Sequence, residues 1–321
     1  MLRSEGATQT LLTLLLGGPQ PAECDTLPQW LPLWRAASRT YGRHGAYVAA
    51  IAAAVRADRM AWAFFSGNQG AVQAAFPGCL AGGEPRIASF CANETGRKIT
   101  AIDTSLHMAD GMLRLQGRKS WVLADVDDLD LYVLARAAGG PASGPGSLAI
   151  VRVPCAAPGV QIGSRRPQDA VPELSHCEVS FTGVSIESSQ LIEGDGYADH
   201  ARPFRLREDI FVTGCTLAYL LAQGHGAGWP TRWKQRCIAV IVTLGQCASL
   251  AACDPPTELL AAGALSLAGE VIEQADQWWS QSESAASARW RRDKPILGLG
   301  KEARRQRAVS AWVRMGVVQN Q

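Results

Sequence analysis

The fold is decided by residues 87–136, which read IASFCANETGRKITAIDTSLHMADGMLRLQGRKSWVLADVDDLDLYVLAR. A short apolar run ends at Glu94, a polar loop follows, and apolar and polar residues then alternate around Gly117, Trp121 and Tyr132. Such alternation is typical of β-strands, because successive side chains point to opposite faces of a sheet. Segments with helical patterns lie on both sides, so the sequence predicts a β module between two helical ones.

The segment before the β module is predicted to be helical. Residues 1–25 carry glycine or proline at four positions between 17 and 21, which predicts only a loose turn or a short helix there. Across 27–76, apolar residues such as Trp30, Trp34 and Ala37 recur at helical spacing, and glycines separate the runs. We therefore expect two or three packed helices in this segment.

The β module continues beyond the opening stretch. A run rich in glycine and proline at 139–146 predicts a turn. After it, four segments alternate apolar and polar residues and are separated by glycine or proline: 147–154, 159–163, 176–186 and 190–194. This pattern predicts an antiparallel sheet, arranged as a small barrel or a sandwich.

From residue 203 onwards the pattern is helical again. Four helices are predicted, at 204–223, 231–251, 255–280 and 301–313. Consecutive helices joined by short links are usually antiparallel neighbours, so they predict a C-terminal four-helix bundle. The predicted class is α+β, with a helical domain at 1–85, a β domain at 86–200 and a helical bundle at 201–321.

The composition is that of an ordinary globular protein, with 47% hydrophobic and 19% charged residues in a chain of 321. Its 31 basic and 29 acidic residues give a net charge of +2, which offers no general attraction for nucleic acid or a membrane. The nine cysteines include no C-x-x-C pair and no secretory signal pattern is evident, so we expect reduced thiols and a cytoplasmic location. The sequence has no phosphate-binding loop, nucleophile elbow or dinucleotide turn, and no histidine–cysteine metal motif.

Several motifs occur in an order that resembles one family. Gly-Glu lies at 83–84 before the strand that ends at Glu94, Gly-x-Lys-x-Trp at 117–121, Tyr-Val-Leu-Ala-Arg at 132–136, and later matches at 153–160, 179–184 and 194–196. Together they resemble the acyl-CoA dehydrogenase family, of which the chain looks like a short, divergent member. The motifs cover about residues 80–225. The resemblance implies an N-terminal helical domain, a central β domain and a C-terminal four-helix bundle, with FAD bound in a cleft between the last two.

The resemblance implies a flavin site on the β domain. In that family the flavin ring lies against an aromatic wall, and backbone groups at the end of the first strand bind its polar edge. The corresponding residues here are Phe90, Ala92, Asn93 and Trp121. The alternative is that the two aromatic residues belong to the core of the β domain. Leu123 replaces a family threonine, and a glycine–serine loop is reduced to 95–98, where we expect Arg97 to bind a phosphate or a substrate group.

The resemblance also implies a catalytic carboxylate. Oxidation of an acyl thioester needs a base that removes the α-proton while a hydride leaves the β-carbon for the flavin. A minority of family members place this glutamate on the first bundle helix, in a Leu-x-x-Glu-Arg pattern. The segment 204–210 resembles that helix start, with Glu208 at the glutamate position and Asp209 at the arginine position. The alternative is that both acids only stabilise a helix N-terminus through its dipole.

Two further features have more than one interpretation. Ser175 and His176 fall in a segment that lies near the thioester in relatives, and Ser175 is expected to contact substrate, although a lone histidine on a strand is more often structural. The basic run at 289–294, which continues to Arg307, either holds a cofactor pyrophosphate or forms a solvated helix face.

Three functions are consistent with the sequence. The preferred one is FAD-dependent dehydrogenation of an acyl thioester by a homodimer or tetramer that passes electrons to a redox partner. The first alternative is a flavin-dependent monooxygenase or oxidase on the same fold, which would not need Glu208 as a base. The second is a degenerate paralogue that has lost flavin and acts as a binding or accessory subunit.

Overall fold

The computed structural model of the protein describes residues 2–18, 20–80, 84–123, 126, 128–138, 147–166, 168–250 and 252–317. Two compact units are present. The helical unit comprises Met1–Ala74, Gln168–Glu173 and Arg205–Gln321, and the β unit comprises Ala75–Pro167 and Leu174–Phe204. The predicted turn at 139–146 and the glycine at 83 lie outside the described residues, and the predicted division into three domains stays a prediction.

Helices precede the sheet, as predicted. They are α1 (Leu2–Leu16), α2 (Leu27–Tyr41), α3 (Ala46–Ala54) and α4 (Met60–Ala75). The first is longer than the turn or short helix predicted for 1–25, because Leu11 and Leu15 lie one helical turn apart and are both buried. The breakers beyond it end the helix rather than prevent it, and the Gly17 N–H caps the Thr13 carbonyl at 3.0 Å.

Five α-helices follow the sheet in the described part of the chain. They are α5 (Arg202–Gly226), α6 (Thr231–Ala248), α7 (Pro255–Ser280), α8 (Ala285–Asp293) and α9 (Lys301–Arg314). Four of them match the predicted helices to within a few residues at each end. The sequence did not predict α8, which has nine residues, three of them arginine, and begins where the Ser284 side chain accepts the Ser287 N–H. The bundle arrangement of these helices stays a prediction.

The helices α4 and α5 approach each other almost at backbone contact. A Cβ added at Gly67 would lie 2.7 Å from the Cα of Val212, and one added at Gly70 would lie 2.8 Å from the Phe211 ring. Glycine is required at both positions because any larger residue would push the two helices apart. This contact lies within the helical unit and sets the spacing of the side chains beside it.

The β unit contains one mixed sheet. Its strands are β1 (Ile87–Cys91), β2 (Ser105–Ala109), β3 (Met112–Leu123), β4 (Leu129–Ala138), β5 (Leu148–Pro154), β6 (Val160–Arg166), β7 (His176–Ile186) and β8 (Leu191–Ile192). The order is β6-β7-β3-β2-β4-β5-β8, and β1 pairs with β4 outside that path.

Most pairs of neighbouring strands are antiparallel, in agreement with the predicted class. The pairs β1–β4 and β2–β4 are parallel, which the sequence did not predict. Alternation of apolar and polar residues reports which face a side chain occupies but not the direction of the neighbouring strand. The β2–β3 hairpin separates β1 from β4 along the chain, so β4 can run beside both β1 and β2 in the same direction.

No helix within the described ranges is both long and apolar enough to cross a lipid bilayer.

Candidate functional site

The end of β1 lies alongside the end of β3. The Ser89 hydroxyl donates to the Leu123 carbonyl at 2.6 Å, and the Ser120 N–H donates to the Asn93 carbonyl at 2.9 Å. We call residues 89–93 and 120–123 the β1–β3 seam. All four residues predicted to face a flavin lie on this seam: Phe90, Ala92, Asn93 and Trp121. The structure therefore brings the predicted backbone segment and the predicted indole to one place in the β unit.

Trp121 is displayed at a bulge in β3. The register of β3 against β7 shifts between Lys119 and Val122, and Trp121 has a φ of 62°. A left-handed backbone is strained for a bulky residue and costs about 1–3 kcal/mol. The side chain is nevertheless 53% exposed. Bulges beside functional sites typically redirect a side chain, and here the redirected group is a half-exposed indole.

The groups around Trp121 are basic or aromatic. The Arg166 guanidinium carbon lies 5.4 Å from the indole centroid, and the His176 ring lies 6.4 Å away in an edge-on arrangement. Burial lowers the pKa of His176, and a hydrogen bond with the Leu174 backbone only partly opposes this. The imidazole is therefore neutral near pH 7. Ser175, the predicted substrate contact, is buried with 6% exposure directly before His176.

Phe90 has a different environment from Trp121. Its ring lies 5.5 Å from Phe76 and 4.8 Å from Phe204, and Phe76 in turn stacks on Tyr132 at 4.2 Å. These contacts favour a packing role for Phe90 in an aromatic cluster of the β unit. Its predicted contact with a flavin stays a prediction.

A buried ion pair fixes the loop that follows β1. The Lys119 ammonium, with 0% exposure, lies 2.8 Å from a Glu94 oxygen. Glu94 also accepts the N–H groups of Asp103 at 2.7 Å and Thr104 at 3.0 Å. Burial alone would raise the pKa of Glu94, but the hydrogen bonds from Lys119, Thr104 and Asp103 outweigh it and hold the pKa at about 2. Glu94 is thus an ionised anchor between the loop and β3.

The Glu94–Lys119 pair was not predicted from the sequence, although both residues belong to the motifs that resemble the family. The available signal was an acid just after β1 and a lysine on β3, both within motif segments. Gly117 completes the arrangement, with a φ of 142° and with Thr104 so close that an added Cβ would lie 2.5 Å from its Cα. Only glycine permits the loop to lie on the sheet at this point.

A polar groove of about 440 Å³ lies beside the Glu94–Lys119 pair. Arg97 lines it and is half exposed, and its guanidinium pairs with Asp103. Arg118 pairs across the groove wall with Glu178 at 3.3 Å. Four hydroxyl side chains also line the groove: Thr95, Ser120, Ser180 and Thr182. The groove is charge-balanced and rich in donors, and Arg97 is placed on it as an accessible cation.

In the helical unit, Glu208 lies on the first turns of α5. The Asn68 amide on α4 donates to Glu208 Oε1 at 2.9 Å. Burial raises the pKa of Glu208, the Asn68 hydrogen bond opposes this, Asp209 raises it further and Arg205 lowers it. The carboxyl is therefore a stronger base when ionised than an exposed glutamate.

Asp209 has a structural role. Its two oxygens pair with Arg304 at 2.9 Å and with Arg307 at 3.0 Å, both on α9. The acid at this position, where the resembling family has arginine, thus fastens α9 to α5.

Most of the C-terminal basic run is engaged in similar pairs. Arg292 lies 2.8 Å from Glu173, Lys294 lies 2.8 Å from Asp276, and Arg305 lies 2.6 Å from Glu302. Arg314 pairs with the buried Glu258. These ion pairs argue against a pyrophosphate site, and the interpretation as a solvated helix face stays a prediction. Within the described ranges, no group of three or more His, Cys, Asp or Glu side chains is arranged to hold a metal ion.

Comparisons with known proteins identify the fold. No protein-family model matches the sequence, and no curated protein matches it. Butyryl-CoA dehydrogenase from Megasphaera elsdenii is similar over 98% of each chain, with a TM-score of 0.62 and 13% identity. FMN-bound TdsC from Paenibacillus sp. A11-2 is similar over 98% of this chain and 97% of its own, with a TM-score of 0.64 and 15% identity. The FAD complex of PigA is similar over 97% of this chain and 98% of its own, with a TM-score of 0.61 and 14% identity.

These solved structures are dehydrogenases and other flavin-binding proteins of one architecture. The chain has the acyl-CoA dehydrogenase fold, which confirms the predicted fold class and the structural side of the resemblance. At identities of 13–15% the likeness extends to the fold alone.

Proposed function

We propose that the protein is a flavin-dependent oxidoreductase that uses FAD to oxidise an acyl thioester. The observation that carries this proposal is Trp121, an exposed indole held at a strained bulge beside the end of β1. Strain of this kind persists where the surrounding structure supports it and is concentrated at functional sites. The fold, shared with structures that contain FAD or FMN, supports the choice of ligand.

The residues of the β1–β3 seam fit a planar, partly polar ring. The indole of Trp121 offers an apolar face on which an aromatic ring can stack. The exposed Asn93 side chain offers an amide for a polar edge, while the Asn93 carbonyl already accepts the Ser120 N–H. Arg97 on the polar groove is suited to a phosphate, because a guanidinium matches its geometry. When bound, the flavin supplies a two-electron acceptor.

Glu208 is the proposed base. Its role is to take the proton from the carbon next to the thioester carbonyl. A partly buried carboxylate with a raised pKa is suited to this step, because the ideal pKa of a general base lies near the working pH. Ser175 and Arg97 are proposed to contact the substrate.

Absorbance spectroscopy tests this proposal. Purified protein is expected to bind FAD with a flavin spectrum, and anaerobic mixing with a series of acyl-CoA thioesters is expected to bleach it. Glu208→Gln should bind FAD normally and slow bleaching at least about a hundredfold, within the range of general base catalysis. Glu193→Gln, an exposed acid elsewhere, is the matched control and should bleach at the wild-type rate. Protein that stays colourless in excess FAD would exclude any flavin enzyme.

One observation favours a second candidate, a protein that keeps the fold without thioester oxidation. Leu123 is buried at a position where the family supplies a threonine hydroxyl, and its carbonyl already accepts the Ser89 hydroxyl. A flavin spectrum that no thioester bleaches would favour a monooxygenase or oxidase. A lack of any flavin binding would favour an accessory subunit.

We also propose a homodimer or tetramer. Large apolar side chains are exposed on α9, with Val309 47% and Trp312 43% accessible. Light scattering of the full chain would give the subunit number directly.

A further inference from the structure

Asn68 lies on α4 and its side chain contacts Glu208 on α5. We propose that Asn68 is a positioning residue: its amide N–H holds one oxygen of the Glu208 carboxyl in place and leaves the other oxygen to take a proton. This inference rests on the proposed role of Glu208 as the base. Among the described residues, the second oxygen, Oε2, has no hydrogen-bond partner.

The close packing of α4 on α5 sets this contact. Gly67 lies against the backbone of Val212, which is one helical turn after Glu208. Asn68, the residue after Gly67, is thereby brought within 2.9 Å of Glu208 Oε1. The distance depends on two helix backbones in near contact.

A second amide lies near the side-chain oxygen of Asn68. Gln69 Nε2 donates to Asn68 Oδ1 at 3.4 Å, and Gln69 is completely buried. Because the Asn68 oxygen faces this donor, its nitrogen faces Glu208. The Gln69 and Asn68 amides thus form a short chain of hydrogen bonds that ends on the carboxyl.

The chemistry of this arrangement follows from the charge of each neighbour. An amide N–H stabilises the ionised carboxylate without adding a titratable charge. Asp209 repels the ionised form and Arg205 favours it. On α9, Arg304 and Arg307 face this part of α5 and are paired with Asp209. Asn68 is therefore the neutral group that limits how far burial raises the pKa of Glu208.

The direct test is the pKa of Glu208 in protein without flavin. It can be followed by carbon NMR with labelled glutamate, and Glu208→Gln assigns the signal. Asn68→Ala should raise the pKa by about one unit, and Asn68→Asp should raise it more because a like charge is added. Gln246→Ala, an exposed amide on α6, is the control and should leave it unchanged. An unchanged pKa in both folded Asn68 variants would overturn the proposal.

A second readout separates this inference from the proposed function. In the FAD-loaded enzyme, the pH midpoint of flavin bleaching should move upward in Asn68→Ala by the same amount as the pKa. If the pKa moves but no thioester bleaches the flavin, Asn68 positions Glu208 and the proposed function fails. If the wild type bleaches and Asn68→Ala changes neither the pKa nor the pH midpoint, the inference fails and the proposed function stands. Asn68→Ser keeps a short hydrogen-bond donor, so the pKa of Glu208 should lie between those of the wild type and Asn68→Ala. This variant replaces Asn68→Ala in the test if the alanine variant does not fold.

Discussion

At the scale of single residues, the most informative position is Trp121. The indole occupies a left-handed backbone conformation and is half exposed, two properties that each cost free energy and that no packing requirement explains. Within the described residues, Arg166 and His176 contact its ring, and the side chain is 53% exposed. The residue is therefore better suited to bind a ring than to fill a core.

Removal of the indole should weaken FAD binding without unfolding the protein. We expect Trp121→Ala to raise the Kd for FAD at least about tenfold, since aromatic stacking contributes up to about 1.5 kcal/mol beyond area burial. Trp312→Ala, which removes an indole of similar exposure from α9, should leave the Kd unchanged. Titration of FAD fluorescence measures both. Equal affinity in the two variants would remove Trp121 from the site.

The Glu94–Lys119 pair should make the stability of the protein depend on acidity. The pKa of Glu94 falls from 4.5 to about 2 on folding, so its contribution is fully present above pH 5 and is lost as the pH falls from about 4.5 towards 2. We expect a loss of about 2–3 kcal/mol in the free energy of unfolding over that range. Glu94→Gln should be less stable at pH 7, because Lys119 stays buried without an anion.

Urea unfolding at pH 7 and pH 3 measures this effect. The difference in stability between wild type and Glu94→Gln should shrink as the pH falls. A difference that is the same at both pH values would show that Glu94 is not ionised in the folded state. Glu187→Gln, an exposed acid on the same unit, serves as the control.

At the scale of elements, the contact between α4 and α5 determines the spacing of the proposed base. Gly67 and Gly70 bring the two helices together, and a side chain larger than hydrogen has no space at either position. Glycine in the interior of a helix usually lowers the stability of a protein. Here they permit a hydrogen bond between residues 140 positions apart.

Gly67→Ala should therefore destabilise the protein. The new Cβ would meet backbone atoms of α5 at 2.7 Å, and overpacking of this kind typically costs about 1–3 kcal/mol. Gly263→Ala, in the exposed interior of α7 where no atom lies within 4 Å, should instead stabilise by about 0.5–1 kcal/mol. Thermal unfolding of the two variants shows whether each substitution raises or lowers the stability. Stabilisation by both substitutions would contradict the close contact.

A second element-scale feature is the segment Gln168–Glu173, which lies between β6 and β7 in sequence but belongs to the helical unit. Val171 is fully buried with a φ of 47°, and its N–H donates to Asp293 Oδ1 at 2.9 Å. Glu173 pairs with Arg59 at 3.3 Å and with Arg292 at 2.8 Å. Carboxylates and guanidinium groups together hold a strained β-branched residue in place.

Asp293→Ala should release this segment. We expect the amide of Val171 to exchange with solvent at least about tenfold faster, because the free energy of local opening falls by about 1.5 kcal/mol or more when a hydrogen bond to a charged group is lost. Asp276→Ala, which removes an ion pair from α7, should not affect exchange in this segment. Hydrogen exchange followed by mass spectrometry compares the two variants. Equal protection of 168–173 in both would show that Asp293 does not hold it.

At the scale of the whole molecule, the order of helices and strands could be predicted because apolar residues recur at a different spacing in each kind of element. Three of the C-terminal helices, α5 to α7, contain buried residues at regular helical spacing, so their positions were predicted closely. The short helix α8 is polar over most of its length and has no comparable signal. The direction of β4 relative to β1 and β2 depends on how the chain returns to the sheet, which local patterns do not report.

The candidate site was predicted less completely than the fold, for a related reason. Trp121 and Glu208 were identified from motifs, but their partners come from other parts of the chain. Glu94 and Lys119 are 25 positions apart, and Asn68 and Glu208 are 140 positions apart. Such pairs depend on the packing of finished elements, which a single sequence does not specify. The sequence of α4 did not single out Asn68, because Ser66, Gln69 and Gln73 are polar residues on the same helix.

The helical unit is built from three separate parts of the chain, and this affects the order in which it can form during translation. When α4 leaves the ribosome, the helix that covers Gly67 and Gly70 has not yet been made. At about 5–20 residues per second, the 140 positions between Asn68 and Glu208 take on the order of ten seconds to synthesise. During that time the apolar surface of α4 must be shielded by other means, so the nascent N-terminal half is a natural client for a chaperone.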